Sequence, residues 1–538
     1  MTKRPNVLWI MADQLRFDYL SCYGHPHLHT PNIDALAARG VQFNNAYVQS
    51  PVCGPSRMST YTGRYVRSHG STWNNVPLRV GEMTLGDHLE PLGVRTALCG
   101  KTHMTADIAG MTRLGIDPAS PKGRRIAECG FEVWDRLDGL HPTGGKVPSH
   151  YNDYLRRQGY DVENPWEDVA NAAEDADGNI LSGWLMENAD KPARVAEEHS
   201  ETPYSTTRAM AFIEDAGDQP WCLHLSYIKP HWPYIVPAPY HDMYGPEHVL
   251  PPVRTDAERS EAHPVLAAYF EHRFSKVFTR DEVRERVIPA YMGLIAQIDD
   301  QIGRLMAWLD ARDITKDTMI VFTSDHGDYL GDHWLGEKEL FHDASARVPL
   351  IVVDPSPEAD ATRGQVRDDL VEAIDLAPTF VDWFGGEARP HILEGRSLLP
   401  LVRGEAPAWR DAVFSEYDYS MRRARRILDH PVGDCRLTMV FDGRWKYIHA
   451  EGFRPMLYDL KTDADELSDL GDVPAFATER ARLADRLAHW SRGHHNRVTV
   501  SDDQIARRKG GELSKGIVIG FWDGAELAQA QRDGDSGN

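Results

Sequence analysis

The sequence predicts an α/β protein: a doubly wound, mostly parallel sheet with helices on both faces, then a smaller α+β subdomain with a short antiparallel sheet. Two observations carry this. From Asn6 to about residue 390, strand-length apolar runs are separated by stretches of helical periodicity, the pattern of βαβ units. After Pro400 the runs become short and alternating, around an Asp442-Gly443 turn. A chain of 538 residues has room for one large body and a smaller unit, with boundaries at 1–404 and 405–498 and a tail at 499–538.

Taken in order, Asn6 to Ala12 (NVLWIMA) is a near-continuous apolar run, as expected of a strand buried on both faces. Thr30-Pro31 followed by NIDALAAR and Gly40 has the cap, first-turn proline and terminal glycine of a helix. Further strands are expected at Arg95 to Cys99, Trp221 to Tyr227, Thr318 to Thr323 and Val348 to Val353. Ile288, Tyr291, Leu294, Ile295, Ile298, Ile302, Leu305 and Leu309 fall at helical spacing, and a second helix is expected from Leu370 to Phe384. Beyond Pro400, strands are predicted at Leu437 to Phe441, Trp445 to His449 and Met456 to Leu460, with a helix from Phe476 to Trp490.

Composition excludes several classes of function. Lys plus Arg number 59 against 81 Asp plus Glu, a net charge of −22, which opposes non-specific nucleic-acid binding and adhesion to anionic membranes. With 41% hydrophobic and 26% charged residues, chain-wide disorder is excluded. The six cysteines form no CxxC pair, so neither a zinc knuckle nor a disulfide scaffold is expected. The run Val7 to Ala12 is too short for a signal-peptide core, and nowhere do about 18 apolar residues follow one another. The expectation is a cytoplasmic protein with no membrane or nucleic-acid partner.

Ligands of open parallel sheets sit beyond the carboxyl ends of the strands. Asp13-Gln14 ends the first strand, and Asp325-His326-Gly327-Asp328 ends the Thr318 strand. One such carboxylate is an ordinary loop cap, but two sites, one with an imidazole and one with an amide, point to a divalent metal. The third element is Cys53-Gly54-Pro55-Ser56-Arg57, with Pro55 setting Cys53 at the mouth of a helix. There the backbone amides favour an anion, and a reactive thiolate is one chemical option.

CGPSRMSTYTG resembles the sulfatase signature, in which the cysteine is converted after translation to formylglycine. Asp13, SDHG at 324–327, Gly100-Lys101-Thr102-His103 and Lys229-Pro230-His231-Trp232-Pro233 stand in the order seen in sulfatases, members of the alkaline phosphatase superfamily. The likeness runs from Asn6 to about residue 498 and implies an alkaline-phosphatase-like fold. It also implies a sulfatase of sulfate monoesters, aryl sulfates first, which needs a formylglycine-generating modifying enzyme as partner. Asp13, Gln14, Asp325 and His326, with residue 53, would hold one divalent ion, calcium or manganese. Hydrated formylglycine would attack sulfur, expel the alcohol, leave a hemiacetal sulfate and eliminate sulfate as the aldehyde returns. By the same resemblance Lys101 and Lys338 contact the substrate's charged oxygens and His231 donates toward the leaving oxygen. His103 acts near the hemiacetal, Arg57 holds the formylglycine and Asn74 reaches the same pocket. Asp328, His333 and the histidines at 25, 27 and 29 are expected at the surface or behind the ligands.

Two departures matter. Many sulfatases have Asp where this chain has Gln14 and Asn where it has His326, which softens the site and favours manganese. The Asp-Gln plus Asp-His pattern also resembles the phosphonate monoester hydrolases, which cleave phosphonate monoesters and phosphodiesters. Those relatives tend to carry Tyr and Thr where this chain has Lys101 and His103, which favours the sulfatase reading, with phosphonate and phosphodiester hydrolysis as a side activity. A catalytically silent metal-binding protein is the alternative of another class; the intact Cys53, Pro55, Arg57, Asp13 and Asp325 oppose it. Trp73, Tyr227, Trp232 and Tyr234 are candidates to stack on an aromatic or sugar ring. In the tail, Ile517, Val518, Ile519, Phe521 and Trp522 form an apolar knot that predicts a homo-oligomer, a dimer or tetramer.

Overall fold

A computed structural model of the chain describes residues 5–139, 149–493, 498–507 and 515–532. Its main sheet is built from β1 (Asn6–Asp13), β2 (Val41–Tyr47), β3 (Arg95–Gly100), β4 (Glu132–Arg136), β5 (Trp221–Pro230), β6 (Thr318–Ser324), β7 (Arg347–Val353) and β8 (Gln365–Glu372). The strand order is β8-β2-β7-β6-β1-β5-β3-β4. All neighbours run parallel except β7, which is antiparallel to both β6 and β2.

Alternation along β1 shows why this run must be central. Val7, Trp9 and Met11 enter one core with Met58 and Tyr61 of α2 (Cys53–Thr62). Leu8, Ile10 and Ala12 enter the other with Ile298 and Ile302 of α4 (Asp281–Asp310) and Phe212 of α3 (Glu201–Ala216). The helix α1 (Pro31–Arg39) starts and stops where Thr30 and Gly40 mark it. Each large apolar side chain so buried contributes about 1.5–3 kcal/mol, and neither face of the strand is left for solvent.

One expectation needs correction, and two features of the sheet were not foreseen. Leu370 to Glu372 are not helical: they finish β8, a 3-10 turn covers Ala373–Asp375, and the helix α5 begins only at Leu376 and ends at Trp383. The turn is fixed by Asp375, whose carboxylate accepts from Glu372 N at 2.8 Å and pairs with Arg410. The strand at Val348 is present but runs against its neighbours, because the segment after Ser324 stays at the same end of the sheet and never crosses back over it. Strands β2, β4 and β8 carried no apolar run; β4 and β8 are the sheet edges, where one side of a strand meets solvent.

The C-terminal unit is a four-stranded antiparallel sheet of β9 (Val413–Asp418), β10 (Arg436–Phe441), β11 (Trp445–Ala450) and β12 (Met456–Asp459), with helix α6 (Ala477–Arg492). Its inner face packs on Tyr329, Leu335, Leu340 and Phe341 of the loop that follows β6. Buried Lys446 of β11 donates to the Phe341 carbonyl at 3.0 Å and to Asp343 at 2.6 Å. This sheet is thus a backstop for the loop that carries Lys338. In the tail Ile519 and Trp522 are each 90% exposed, beside a helix at Gly524–Arg532.

Candidate active site

Register alone brings the two acidic motifs together. Strands β1 and β6 pair in parallel with Ala12 opposite Ser324, so Asp13 and Asp325 leave the sheet side by side. Strand β3 lies against β5 with Gly100 opposite Ser226, so Lys101 and His231 emerge at the same end. Gly100 is required there: its φ is +113°, and a Cβ would lie 1.9 Å from the Ser226 carbonyl oxygen.

Cys53 is the first residue of α2 and is fully buried. Its Sγ lies 3.0 Å from His326 Nε2, 3.9 Å from Asp13 Oδ1 and 4.0 Å from Lys101 Nζ. Arg57, one turn along the same helix, is wholly buried and binds both acidic strand ends, Asp325 Oδ2 at 2.7 Å and Asp13 Oδ2 at 3.1 Å. It also donates to the Lys101 carbonyl and to Ser226 Oγ, each at 2.8 Å. Lys101 Nζ completes the cluster 2.5 Å from Asp13 Oδ2. A guanidinium buried without such partners would be costly, so these acids and this base are mutually required.

On the far side, Lys338 Nζ donates to Gln14 Oε1 at 2.9 Å and lies 3.3 Å from His231 Nε2. His231 Nδ1 is 2.8 Å from the Trp232 carbonyl oxygen, which only accepts, so Nδ1 carries the proton and Nε2 faces Lys338 as an acceptor. Gln14, at φ +64°, turns its amide nitrogen toward Asp328, which also accepts from Tyr234 OH at 2.7 Å. Asp328 is therefore buried directly behind Gln14, and His333 is buried against Glu258 at 2.7 Å, away from the surface. Asn74 Oδ1 accepts from Gly54 N at 2.7 Å, which ties it to the first turn of α2. His103 stands half-buried at φ +54° beside Cys53, its backbone amide held by Asp138 at 3.1 Å. Tyr227 belongs to the core, and Trp73 packs against Tyr417 and Arg422. Ser226 and Asp138 gave no local signal of their positions near the site, whereas Tyr234, a stacking candidate, holds Asp328 through its hydroxyl. Asp328 gave such a signal, as the residue directly after Asp325-His326-Gly327.

The charge pattern follows from burial and pairing. Burial and the adjacent Cys53 push the Asp13 carboxyl up, but Lys101, His231 and Arg57 reverse this and hold it below the ordinary range. Burial raises the Cys53 thiol, yet Lys101, Lys338 and His326 outweigh it and the thiol sits well below its usual value. Burial, with Lys101 and Lys338 beside it, drives His231 down to about 3, so its imidazole is neutral.

Asp13, Cys53, Asp325 and His326 offer one ligand atom each within 4.8 Å of one another, all buried. His326 Nδ1 faces the Gly327 carbonyl oxygen at 2.9 Å and so carries the proton, which leaves Nε2 bare toward the other three groups. Two carboxylates and a correctly oriented imidazole fit a divalent cation. The amide oxygen of Gln14, the remaining expected ligand, accepts from Lys338 at 2.9 Å.

Comparison with known proteins identifies the family. The sulfatase family model matches residues 5–117 and 147–386, and the model for the C-terminal part of N-sulphoglucosamine sulphohydrolase matches 331–493. The chain is 34% identical to the multifunctional alkaline phosphatase superfamily protein PehA of Trinickia caryophylli, over 92% of this chain and 96% of that protein. It is 29% identical to an arylsulfatase of Clostridium perfringens, over 77% and 82% respectively. The phosphonate monoester hydrolase of Silicibacter pomeroyi superposes with a TM-score of 0.80 at 28% identity, over 93% of this chain and 98% of that structure. With its signature helix, paired strand-end acids and buried ligand group in register, the chain belongs to the sulfatase family of the alkaline phosphatase superfamily.

Proposed function

We propose that this hydrolase acts first on phosphonate monoesters and phosphodiesters and second on sulfate monoesters, with residue 53 as formylglycine. The observation that carries the reading is likeness along nearly the whole chain to a multifunctional relative and a phosphonate monoester hydrolase. It outweighs Lys101 and His103, the two residues that favoured an arylsulfatase. All three ester classes present a singly charged tetrahedral centre, so a site with two ammonium groups and one cation suits each of them.

Oxidation of Cys53 by a modifying enzyme with molecular oxygen as oxidant, in which the sulfur leaves and Cβ becomes an aldehyde, then hydration, would place two hydroxyls at the mouth of α2. A divalent cation held by Asp13, Asp325 and His326 would supply Lewis acidity and charge neutralisation when bound. Arg57 locks the Oδ2 atoms of the two carboxylates, and their Oδ1 atoms, 3.9 and 3.7 Å from His326 Nε2, would be the ones to hold the cation. Lys101 and Lys338 would neutralise the non-reacting oxygens of the substrate. Lys338 would give the proton to the departing oxygen, with neutral His231 accepting a hydrogen bond from its ammonium at Nε2 and holding it in place. His103, hydrogen-bonded to residue 53, would take a hydroxyl proton.

The test is kinetic. One aryl alcohol is presented as phosphonate monoester, phosphodiester and sulfate, and kcat/KM is measured for each with protein whose aldehyde content is known. The expected order places the phosphonate monoester or phosphodiester highest. A sulfate preference over both would overturn the order and return the chain to the arylsulfatase class. A homo-oligomer joined through the exposed tail knot is part of the same proposal; truncation after Val498 should lower the mass found by light scattering, and an unchanged mass rules the tail out.

A further inference from the structure

Next to the Lys338–His231 pair lies a cavity of about 800 Å³. Two of its wall residues, Trp232 and Glu337, are the chain neighbours of His231 and Lys338. The Trp232 ring centroid is 4.1 Å from that of His231 and 5.9 Å from Lys338 Nζ. Trp184, 5.4 Å from Trp232 between centroids, and Phe274 make much of the wall aromatic. Two polar atoms of this wall stand out. Trp232 Nε1, a donor, and Glu337 Oε1, an acceptor, are both buried and have no hydrogen-bond partner among the described residues. Glu337 is only 5% exposed and holds a left-handed φ of +62°, and its other oxygen reaches no closer than 4.0 Å to Arg422. Buried polar atoms are normally paired, and each orphan in a native site calls for a partner.

We propose that this cavity receives the leaving alcohol of the substrate, and that Glu337 with Trp232 selects a flat aromatic alcohol bearing a second hydroxyl or amino group. The inference rests on the ester-hydrolase reading above. The ring lies along the Trp184–Trp232–Phe274 wall, its substituent donates to Glu337 Oε1, and an oxygen or nitrogen lone pair accepts from Trp232 Nε1. A quaternary ammonium group, the usual occupant of an aromatic cage with a carboxylate, suits this cavity less well. It has nothing to accept the indole N–H, and Arg273, Arg280 and Arg286 line the same space against two further acids, Glu187 and Glu282.

The experiment compares esters of one reacting group whose alcohols are the isomeric hydroxyphenols, the matching methoxyphenols and choline. Hydroxyl and methoxyl leave the acidity of the departing phenol nearly unchanged, so a rate difference reports recognition. At least one hydroxyphenyl isomer should exceed its methoxy counterpart by about tenfold in kcat/KM, the scale of one hydrogen bond to a charged group. That ratio should fall toward one in Glu337→Met and in Trp232→Phe, and Glu337→Gln, which keeps an acceptor oxygen, should fall between. Equal rates for every hydroxy and methoxy pair, or a choline ester turned over fastest, would overturn the proposal. Binding of the free phenols, followed by tryptophan fluorescence, separates this failure from that of the parent reading. If no ester is hydrolysed but dihydroxybenzene binds about tenfold more tightly than its methyl ether, and Glu337→Met removes the difference, the pocket assignment stands alone. No difference in binding overturns it.

Discussion

Around Cys53, Arg57 spans Asp13 and Asp325, and Lys101 closes on Asp13, so charge is matched by charge inside a fully buried cluster. A few ångströms on, past Lys338, the wall of the cavity holds a carboxylate oxygen and an indole N–H with no partner at all among the described residues. The contrast separates two tasks. A reacting centre gains from groups fixed before substrate arrives, because no reorganisation is then needed as charge develops. A recognition surface gains from groups left open, because the substrate itself must be the better partner. Preorganisation is visible at one end as pairing and at the other as its absence.

The largest effect expected from breaking this contrast is at residue 53. Cys53→Ala should lower kcat/KM by about 10³ or more while circular dichroism stays that of the parent, since α2 has no need of the thiol. Activity within tenfold of the parent would remove residue 53 from the chemistry. Chelation should have a comparable effect at the same end. Dialysis against EDTA is expected to abolish turnover, and added manganese or calcium to restore it; activity that survives with no metal detected by mass spectrometry would show that Asp13, Asp325 and His326 hold none.

Arg57→Met probes the pairing itself. It strands two buried carboxylates, so the metal-free protein should lose about 3–5 kcal/mol of stability in denaturant unfolding, and bound cation should return part of it. A loss under about 1 kcal/mol would mean the cluster is not held by this guanidinium. Lys101→Ala and Lys338→Ala should each cost about 10²–10³ in kcat, the scale of one charge-stabilising contact, and Lys101→Ala should also lower the unfolding midpoint because it removes a buried partner of Asp13. If only KM moved, the ammonium groups would bind substrate without favouring the transition state. The smallest effect is expected for Tyr234→Phe. It removes one donor from Asp328 and should destabilise by about 1–2 kcal/mol. A much larger fall in kcat than in stability would instead place the Asp328–Gln14 pair in direct contact with the reaction.

Much of this architecture was legible in the chain. The alternating burial of β1 appears as NVLWIMA, the start and stop of α1 as Thr30-Pro31 and Gly40, and the signature helix as CGPSR, because each is enforced by neighbours a few residues apart. The edge strands were not legible, since a strand half in water needs no apolar run, and Leu370 to Glu372 passed as helix because three apolar-to-acidic residues fit either period. The reversed direction of β7 was hidden as well, for an apolar run carries no arrow.

Local chemistry therefore determined which groups the protein brings to its reaction: the cysteine at a helix mouth, the strand-end acids, the lysines and the histidines. Only the tertiary structure decided how they meet. Parallel register sets Asp13 beside Asp325, a carbonyl fixes the proton on His231 Nδ1, Lys338 claims the oxygen of Gln14, and Glu337 and Trp232 come to share one wall although 105 positions separate them in sequence. The physical reason is range. Capping, periodicity and turn chemistry act over a few residues and are written locally, whereas hydrogen-bond partners across a site are chosen by which strands pair and which loops the core holds in place.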